Sequence, residues 1–399
     1  MNNTKIGERI AVALHEAVRL IRDARPDRAR LAAAEIQKTL QTLTQGPVVA
    51  VDAAHSSAGY DRPQNTAVIS SFADAFRVSD LRRPLALKTL PTISPNLRAT
   101  LTREPYAGPS GRFTDGAYEN AFGARTYKLY IPTNYCGQAF PLLVMLHGCT
   151  QDPTDFAVGT RMNETAENNG CFVLYPAQAQ FANSSKCWNW FRTADQRRDH
   201  GEPAIVAGMT REIGKSFHVD QSKIFVAGMS SGGAMAMILA ATYPDLFTAA
   251  GIHSGLPYAA AHDLASALAA MRGGAIASTP RSHPIPIIVF HGDQDSTVHP
   301  RNSEQIVAQC RPRSLGAQLK EGSSQQHTVP GGRTFCRTVY RDTAERTAAE
   351  HWVIHQAGHA WAGGSSRGSH TDPKGPDASR EMMRFFLARE KSPAISSVS

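Results

Sequence analysis

The stretch FVAGMSSGGAMA, residues 225–236, sets two adjacent serines among three glycines. The apolar run at 223–227 predicts a buried strand, and the run at 234–240 predicts a helix. Residues 228–232 would then form the turn between them, with the pattern G-x-S-x-G around Ser230. In this context the pattern indicates a nucleophile elbow, where glycines permit a turn sharp enough to expose the serine hydroxyl. A simple glycine-rich turn is the alternative interpretation.

Apolar segments alternate with helical patterns along residues 119–390. The predicted strands are 126–131, 142–146, 171–175, 223–227, 285–290 and 351–354, with helical patterns between them, for example at 204–217 and 303–310. This alternation predicts an α/β domain with a mostly parallel sheet and helices on both faces. In such sheets the functional side chains gather at the carboxyl ends of the strands.

Two other predicted strands end at residues that could act with Ser230. Asp293 and Asp295 follow the strand at 285–290, and His359 follows the strand at 351–354. A serine nucleophile needs a base to take its proton and a carboxylate to orient that base. The order Ser, Asp, His is the order of α/β-hydrolases. A catalytic triad of Ser230, His359 and an aspartate is therefore predicted. Either Asp293 or Asp295 could be that aspartate. The alternative histidines are His291, His299, His351, His355 and His370.

A tetrahedral intermediate at Ser230 would also need two N–H donors for its oxyanion. The backbone N–H of Ser231, directly after Ser230 and at the predicted helix start, would be one. The loop after the strand at 142–146 would supply the other, and we choose the Cys149 N–H because Gly148 allows close backbone approach. His147 is expected to brace this loop.

The whole-chain composition excludes several classes of protein. The 399 residues carry a formal net charge of +8, but the basic residues are dispersed, which argues against a nucleic-acid partner. No run of 18 apolar residues is present, so no membrane span is expected. The six cysteines lack paired C-x-x-C spacing, which argues against a structural zinc site. Glu8 and Arg9 interrupt the first apolar segment, so no secretory signal peptide is expected and a cytoplasmic location is favoured over an extracellular one.

The segments that flank the α/β domain have different patterns. Residues 1–44 show two amphipathic repeats interrupted at Pro26, which predict a helical hairpin that packs as an appendage or serves for docking. Residues 45–118 are rich in Pro, Ser, Thr and Gly without a sustained period, and predict a loop-rich, partly disordered linker. Residues 391–399 are expected to form a flexible tail.

Six motifs resemble the polyhydroxybutyrate-depolymerase family of esterases, which also contains feruloyl and acetylxylan esterases. They are LHGCTQ at 146–151, YPAQ at 175–178, CWNWF at 187–191, GMSSGG at 228–233, HGDQD at 291–295 and GHAW at 358–361. The resemblance runs from about residue 124 to 387 and implies an α/β-hydrolase fold. It implies a triad of Ser230, Asp295 and His359, because the family's His-Gly-x-x-Asp spacing selects Asp295.

The resemblance also implies a serine carboxylic-ester hydrolase that needs no metal or organic cofactor. Its expected partner is a small ester or oligoester, of the short hydroxyalkanoate or related short-acyl class. A feruloyl or acetylxylan esterase and an acyltransferase on the same triad are alternatives, as is a catalytically silent binding protein that uses the hairpin. The natural ester and the oligomeric state stay open.

Two details near the expected site accompany the resemblance. Trp188 and Trp190 are predicted to line the acyl or alcohol pocket, with a role as core tryptophans as the alternative. Cys149 and Cys187 lie in two motifs that would both border the site, which favours a disulfide between them.

Overall fold

The computed structural model describes residues 108–273, 285–310 and 320–389. All of them belong to one compact unit, Leu101–Ser399. The predicted hairpin at 1–44, the predicted linker up to residue 107 and the predicted tail at 391–399 lie outside the described residues.

A large β-sheet forms the centre of this unit. Its strands are β1 (Arg112–Asn120), β2 (Gly123–Ile131), β3 (Phe140–Leu146), β4 (Phe172–Pro176), β5 (Val219–Met229), β6 (Ala249–His253), β7 (Ile287–Gly292), β8 (Lys320–Glu321), β9 (Gln325–Thr328), β10 (Thr334–Arg341) and β11 (Thr347–Ile354). Their spatial order is β1-β2-β4-β3-β5-β6-β7-β11-β10-β8, with β9 paired to β10. A separate pair joins β12 (Trp361–Ala362) to β13 (Thr371–Asp372).

The six central strands, from β4 through β3, β5, β6 and β7 to β11, pair in parallel. Antiparallel strands extend the sheet at both edges. The predicted mostly parallel sheet of an α/β-hydrolase is therefore confirmed. Because parallel strands end at the same edge, the loops after β3, β5, β7 and β11 meet there.

Helices cover both faces of this sheet. They are α1 (Pro153–Thr160), α2 (Met162–Asn169), α3 (Gly201–Ser216), α4 (Ser231–Thr242), α5 (Leu264–Gly273), α6 (Arg301–Gln309) and α7 (Ala378–Leu387), and a 3₁₀ turn spans Thr193–Gln196. The helices predicted at 204–217, 234–240 and 303–310 correspond to α3, α4 and α6.

The two apolar cores follow from the period-two alternation of the central strands. Leu142 and Val144 of β3 point into one core with α3 and α4, while Leu143 and Met145 point into the other with α7. All four side chains are completely buried, as expected for a parallel strand covered on both faces. The rigid sheet between these cores fixes the positions of the strand ends.

The predicted linker is wrong for residues 112–118, because β1 begins at Arg112 and pairs along its whole length with β2. Its sequence RFTDGAYEN alternates between exposed and half-buried side chains and includes Asp115 and Gly116. An edge strand with so few apolar residues gives no hydrophobic period, so only its pairing partner identifies it.

Strands β6 and β10 were not predicted from the sequence either. Strand β6, with the sequence AAGIH, lies between β5 and β7 and is completely buried, but its small residues resemble no typical strand pattern.

Among the helices that the structure describes, none has the length and apolar character needed to cross a bilayer.

Candidate active site

Ser230 lies at the sharp turn from β5 into α4, so the predicted strand–turn–helix is present. Its backbone angles, φ 56° and ψ −120°, are in a region that non-glycine residues rarely adopt. A Cβ atom at Gly228 would lie 2.4 Å from the Gly232 carbonyl, and one at Gly232 would lie 2.1 Å from the Leu146 oxygen. Glycine is therefore required at both positions for the turn to pack against β3.

Asp295 follows β7 and is almost completely buried. One carboxylate oxygen, Oδ1, accepts hydrogen bonds from the backbone N–H groups of Thr297 (2.9 Å) and Val298 (2.8 Å). The other, Oδ2, lies 2.7 Å from Nδ1 of His359, which follows β11. The fold thus brings together the aspartate and the histidine that the sequence analysis selected, although 64 positions separate them along the chain.

The protonation states of this pair follow from their contacts. Burial raises the pKa of Asp295, but the hydrogen bonds from His291 and His359 outweigh it and hold the pKa well below the usual range. An ionised carboxylate only accepts, so the Nδ1 of His359 carries the proton that it donates. In the neutral imidazole this leaves Nε2 as a base, which is the tautomer that a serine nucleophile requires.

Asp293 has a different environment, two residues before Asp295. Its side chain is 36% exposed, and its Oδ2 accepts a hydrogen bond from Nδ1 of His355 at 2.9 Å. Its Oδ1 accepts the backbone N–H of Gln356 at 2.7 Å. The two carboxylates therefore orient two different histidines, and Asp295 is the one bonded to His359.

The loop after β3 lies against Ser230. A Cβ atom at Gly148 would be 3.6 Å from the Ser230 Cβ, so the loop backbone passes directly beside the elbow. The Cys149 and Ser231 amides, the predicted oxyanion donors, make no hydrogen bond to other atoms of the described residues. Gln151 holds the loop, because its Oε1 accepts the Gly148 N–H at 2.9 Å. This function of Gln151 was not predicted from the sequence.

His147 braces the same loop, as expected. Its Nδ1 donates to the Gly148 oxygen at 2.8 Å, and its Nε2 accepts the Gln178 N–H at 3.0 Å. Burial lowers the pKa of His147 to about 4, so the ring is neutral at physiological pH. A neutral ring with both nitrogens engaged in the loop has no nitrogen left for proton transfer.

The predicted pocket lining by the two tryptophans requires a correction at Trp188. Trp188 has no exposed surface and donates its indole N–H to the His147 oxygen at 3.1 Å, so it is a core residue that supports the loop. Trp190 is 6% exposed and belongs to the same core. The alternation in the CWNWF motif places both tryptophans on one face of the segment. It does not show whether that face lines a pocket or packs in the core, because both environments are apolar. Contact of Trp190 with a substrate stays a prediction.

A disulfide joins Cys149 to Cys187 across 38 positions, which confirms the predicted pairing. It connects the loop after β3 to the CWNWF segment. The Ser231 hydroxyl lies 3.4 Å from the Cys149 sulfur, and since a disulfide sulfur carries no proton, the hydroxyl is the donor. The disulfide therefore ties both segments to the start of α4.

Removing this disulfide should destabilise the protein. Closing a loop of this length restricts the unfolded chain, so the double variant Cys149→Ser, Cys187→Ser should lose about 4 kcal/mol of unfolding free energy. Urea unfolding without reductant measures the loss. Cys136→Ser is the matched control, because Cys136 is exposed and forms no disulfide. Equal midpoints for the double variant and the control would contradict the expectation.

Behind the pair of Asp295 and His359 lie two buried histidines, of which His291 was an alternative to His359 and His253 was not singled out from the sequence. His253 accepts the Ala362 N–H on Nε2 at 3.0 Å, and burial with the neighbouring imidazoles lowers its pKa to about 3. His291 donates from Nε2 to the Val298 oxygen at 2.8 Å, with Asp295 Oδ2 3.4 Å away. Both rings hold the loop segments in place, and only the packing of distant segments reveals this.

A buried carboxylate on α3 connects two of the sequence motifs. Glu202 accepts hydrogen bonds from Arg125 Nη2 (3.3 Å), Gln178 Nε2 (2.5 Å) and both the backbone and side-chain N–H of Asn189 (2.7 Å each). Burial is the main cause that raises the pKa of Glu202. The carboxylate joins the YPAQ and CWNWF motifs, and its partners lie up to 77 positions away, beyond any local sequence signal.

Comparison with known proteins agrees with the motif pattern. Residues 125–316 match the model of the esterase PHB depolymerase family, a range that includes Ser230 and Asp295 and ends before His359. The chain is 33% identical over 244 residues to poly(3-hydroxyalkanoate) depolymerase C of Paucimonas lemoignei, covering 58% of this chain and 57% of that protein. It is 30% identical over 209 residues to the probable acetylxylan esterase A of Aspergillus fumigatus, covering 48% and 55%.

Among solved structures, the acetyl xylan esterase from Aspergillus awamori is 20% identical, with a TM-score of 0.49, covering 62% of this chain and 94% of that chain. The chain spans a little over half the length of the two curated relatives. The match and the relatives confirm the resemblance that the motifs indicated.

Proposed function

We propose, from the match of residues 125–316 to the model of the esterase PHB depolymerase family, that this chain is a serine hydrolase that cleaves carboxylic esters. The observation that carries the proposal is the 2.7 Å hydrogen bond between Asp295 and His359, at the same sheet edge as the Ser230 elbow. The three residues follow β5, β7 and β11, so a rigid sheet sets their positions.

The acylation step uses the triad. His359 Nε2 takes the proton of Ser230 while Oγ attacks the ester carbonyl, and the buried Asp295 carboxylate stabilises the imidazolium that forms. His359 then gives this proton to the departing alcohol, which leaves an acyl group on Ser230. The low pKa of Asp295 keeps its carboxylate ionised throughout.

The oxyanion would be held by the two backbone amides that have no other partner in the described chain. The Cys149 N–H belongs to the loop beside the elbow, and the Ser231 N–H lies at the N-terminus of α4, where the helix dipole adds to the attraction. Water activated by His359 would then release the acyl group. This mechanism requires no metal or organic cofactor.

The substrate class proposed for this site is the short-acyl ester, with short hydroxyalkanoate oligoesters as the leading case. The depolymerase relative supports the hydroxyalkanoate substrate through its name, poly(3-hydroxyalkanoate) depolymerase C. A second candidate is the removal of acetyl groups from xylan, which the acetylxylan esterase relatives support. Both reactions use the same triad and differ in the acyl group that Ser230 receives and in the alcohol that leaves.

An ester panel tests both candidates. Hydrolysis of p-nitrophenyl acetate and butyrate should be fast, and kcat/KM should fall steeply for acyl chains of about eight carbons or more, because a site for short acyl groups gains no transition-state contacts from the rest of a long chain. Hydroxybutyrate oligomers should be cleaved faster than acetylated xylan, and the reverse ranking would favour the second candidate. Faster hydrolysis of p-nitrophenyl palmitate than of the butyrate ester would contradict both.

The disulfide bears on the compartment in which this protein works. Disulfides persist in oxidising compartments and are rare where thiol reductants act. The Cys149–Cys187 disulfide holds the loop that carries a proposed oxyanion donor. We therefore propose an oxidising, extracytoplasmic compartment rather than the cytoplasm that the sequence analysis favoured. Cell fractionation, with immunoblotting of the disulfide-bonded form, tests this location.

A further inference from the structure

A second cysteine, histidine and aspartate cluster lies outside the Ser230 site. The Cys336 sulfur lies 3.3 Å from Nε2 of His355, and Nδ1 of the same ring lies 2.9 Å from Oδ2 of Asp293. His355 and Asp293 are 38% and 36% exposed, and Cys336 is half-buried. The three side chains form a continuous chain of contacts that solvent can reach.

The hydrogen bond to Asp293 determines which nitrogen of His355 can act on the thiol. The Asp293 carboxylate can only accept a hydrogen bond, so Nδ1 of His355 carries the proton that it donates. Nε2 is then unprotonated, and its lone pair faces the Cys336 sulfur. The thiol can then donate its proton to Nε2. This is the arrangement in which a histidine oriented by an acid activates a cysteine.

Backbone hydrogen bonds hold the cluster in place. The Asp293 N–H donates to the Ile354 oxygen at 3.0 Å, and the His355 N–H donates to the Thr334 oxygen at 2.9 Å. The Gln356 N–H binds the free oxygen of the Asp293 carboxylate at 2.7 Å. Main-chain contacts fix the segments that carry the aspartate and the histidine. Little further conformational entropy is therefore lost when these side chains align with Cys336 for reaction.

The other free cysteines lack this environment. Cys171 and Cys310 are buried, and burial raises the pKa of each thiol to about 12, which suppresses the reactive thiolate. Cys136 is exposed, but its sulfur lies against the Gln138 amide oxygen, which cannot accept the proton as a base does. Of the four free cysteines, Cys336 alone contacts a histidine in the described residues.

We propose that Cys336 is a reactive thiol, activated by His355 and Asp293, that small organic disulfides modify. The thiol proton moves to His355 Nε2, and the thiolate attacks one sulfur of the disulfide. A new S–S bond forms at Cys336 as the old one breaks, and the departing thiolate takes the proton from the imidazolium. The product is a mixed disulfide, and a reducing thiol reverses the reaction. This modification site is independent of the proposed ester hydrolysis.

The cluster shares two chain segments with the candidate active site. Asp293 lies two residues before Asp295, and His355 lies four residues before His359. The sulfur itself lies on β10, outside these segments. A mixed disulfide at Cys336 would therefore place a new group beside the loops that carry the proposed acid and base.

The test compares reaction rates of two cysteines in the same full-length chain. Protein without reductant is treated with dithiodipyridine at neutral pH for timed intervals, and each cysteine peptide is quantified by mass spectrometry. Cys336 should gain one thiopyridyl group about tenfold faster than Cys136 or more, although it is the less exposed thiol, because a base is in contact with it. Added reductant should remove the group.

Two variants test the source of this reactivity. His355→Gln should slow the Cys336 reaction about tenfold and leave the Cys136 rate unchanged, and Asp293→Asn should slow it by a smaller factor of about three. Labelling of the buried Cys171 or Cys310 in His355→Gln would show that this variant is unfolded. The Cys336 rate in Asp293→Asn would then serve as the test of the proposal. The proposal is overturned if Cys336 reacts no faster than Cys136, or if the correctly folded variants react at the wild-type rate.

Discussion

Replacing Ser230 by alanine is expected to lower kcat for p-nitrophenyl butyrate by about 10³-fold or more, because the variant has no group to carry the acyl intermediate. His359→Ala should have a similar effect, since the serine then has no base. The double variant should lose little beyond either single variant, because the two residues act as one unit in the same step. Steady-state kinetics of all three proteins measure the effect.

A matched control is Ser222→Ala, an alanine replacement on β5, the strand that precedes Ser230, because the Ser222 hydroxyl donates to Asp220. It should keep near wild-type kcat. A fluorophosphonate probe should attach to the Ser230 peptide in the wild type and to no peptide in Ser230→Ala. Folded Ser230→Ala protein that retains more than about a tenth of wild-type kcat would refute the proposed nucleophile.

Asp295→Asn is expected to lower kcat by about 10³- to 10⁴-fold while the protein stays folded. The amide can still accept the Thr297 and Val298 N–H groups through its oxygen. Its NH₂ group would then face His359 Nδ1 and favour the tautomer with the proton on Nε2. In that tautomer His359 cannot take the Ser230 proton.

Asp293→Asn is the control for this prediction, because the same change of charge and shape is made two residues away. Asp293 is more exposed and binds His355, so we expect less than about a tenfold loss of kcat. Circular dichroism spectra should match for both variants and the wild type. A larger loss for Asp293→Asn than for Asp295→Asn, with both folded, would show that the acid is assigned wrongly.

The fold could be predicted from the sequence where apolar runs are long and both faces of a strand are buried. All six predicted strands are present, and so are the helices that correspond to α3, α4 and α6. Strand β1 was missed because a polar edge strand has no hydrophobic period, and β6 because small residues fill it. Both strands depend on pairing partners for their identity, which local patterns do not contain.

The site was predictable in part. Ser230 and His359 follow strong strand patterns and are flanked by small residues, so the sequence singled them out. The motif resemblance favoured the pairing of Cys149 with Cys187, and the structure has it. The supporting contacts of Gln151 and Glu202 were missed, because each buried polar side chain is satisfied by partners that only the fold brings near.

The sequence by itself determined the elbow, because the strand, the glycines and the helix that form the turn at Ser230 all lie within about twenty residues. Only the tertiary structure decided the separate partners of Asp293 and Asp295, which have the same chemistry. In the parallel pairing of β7 with β11, Gly292 lies opposite Ile354, which aligns the two loops that follow. In those loops Asp293 contacts His355 and Asp295 contacts His359. The family's His-Gly-x-x-Asp spacing favoured Asp295 by resemblance, but the physical cause of the two pairings is the long-range pairing of strands, which sets that register.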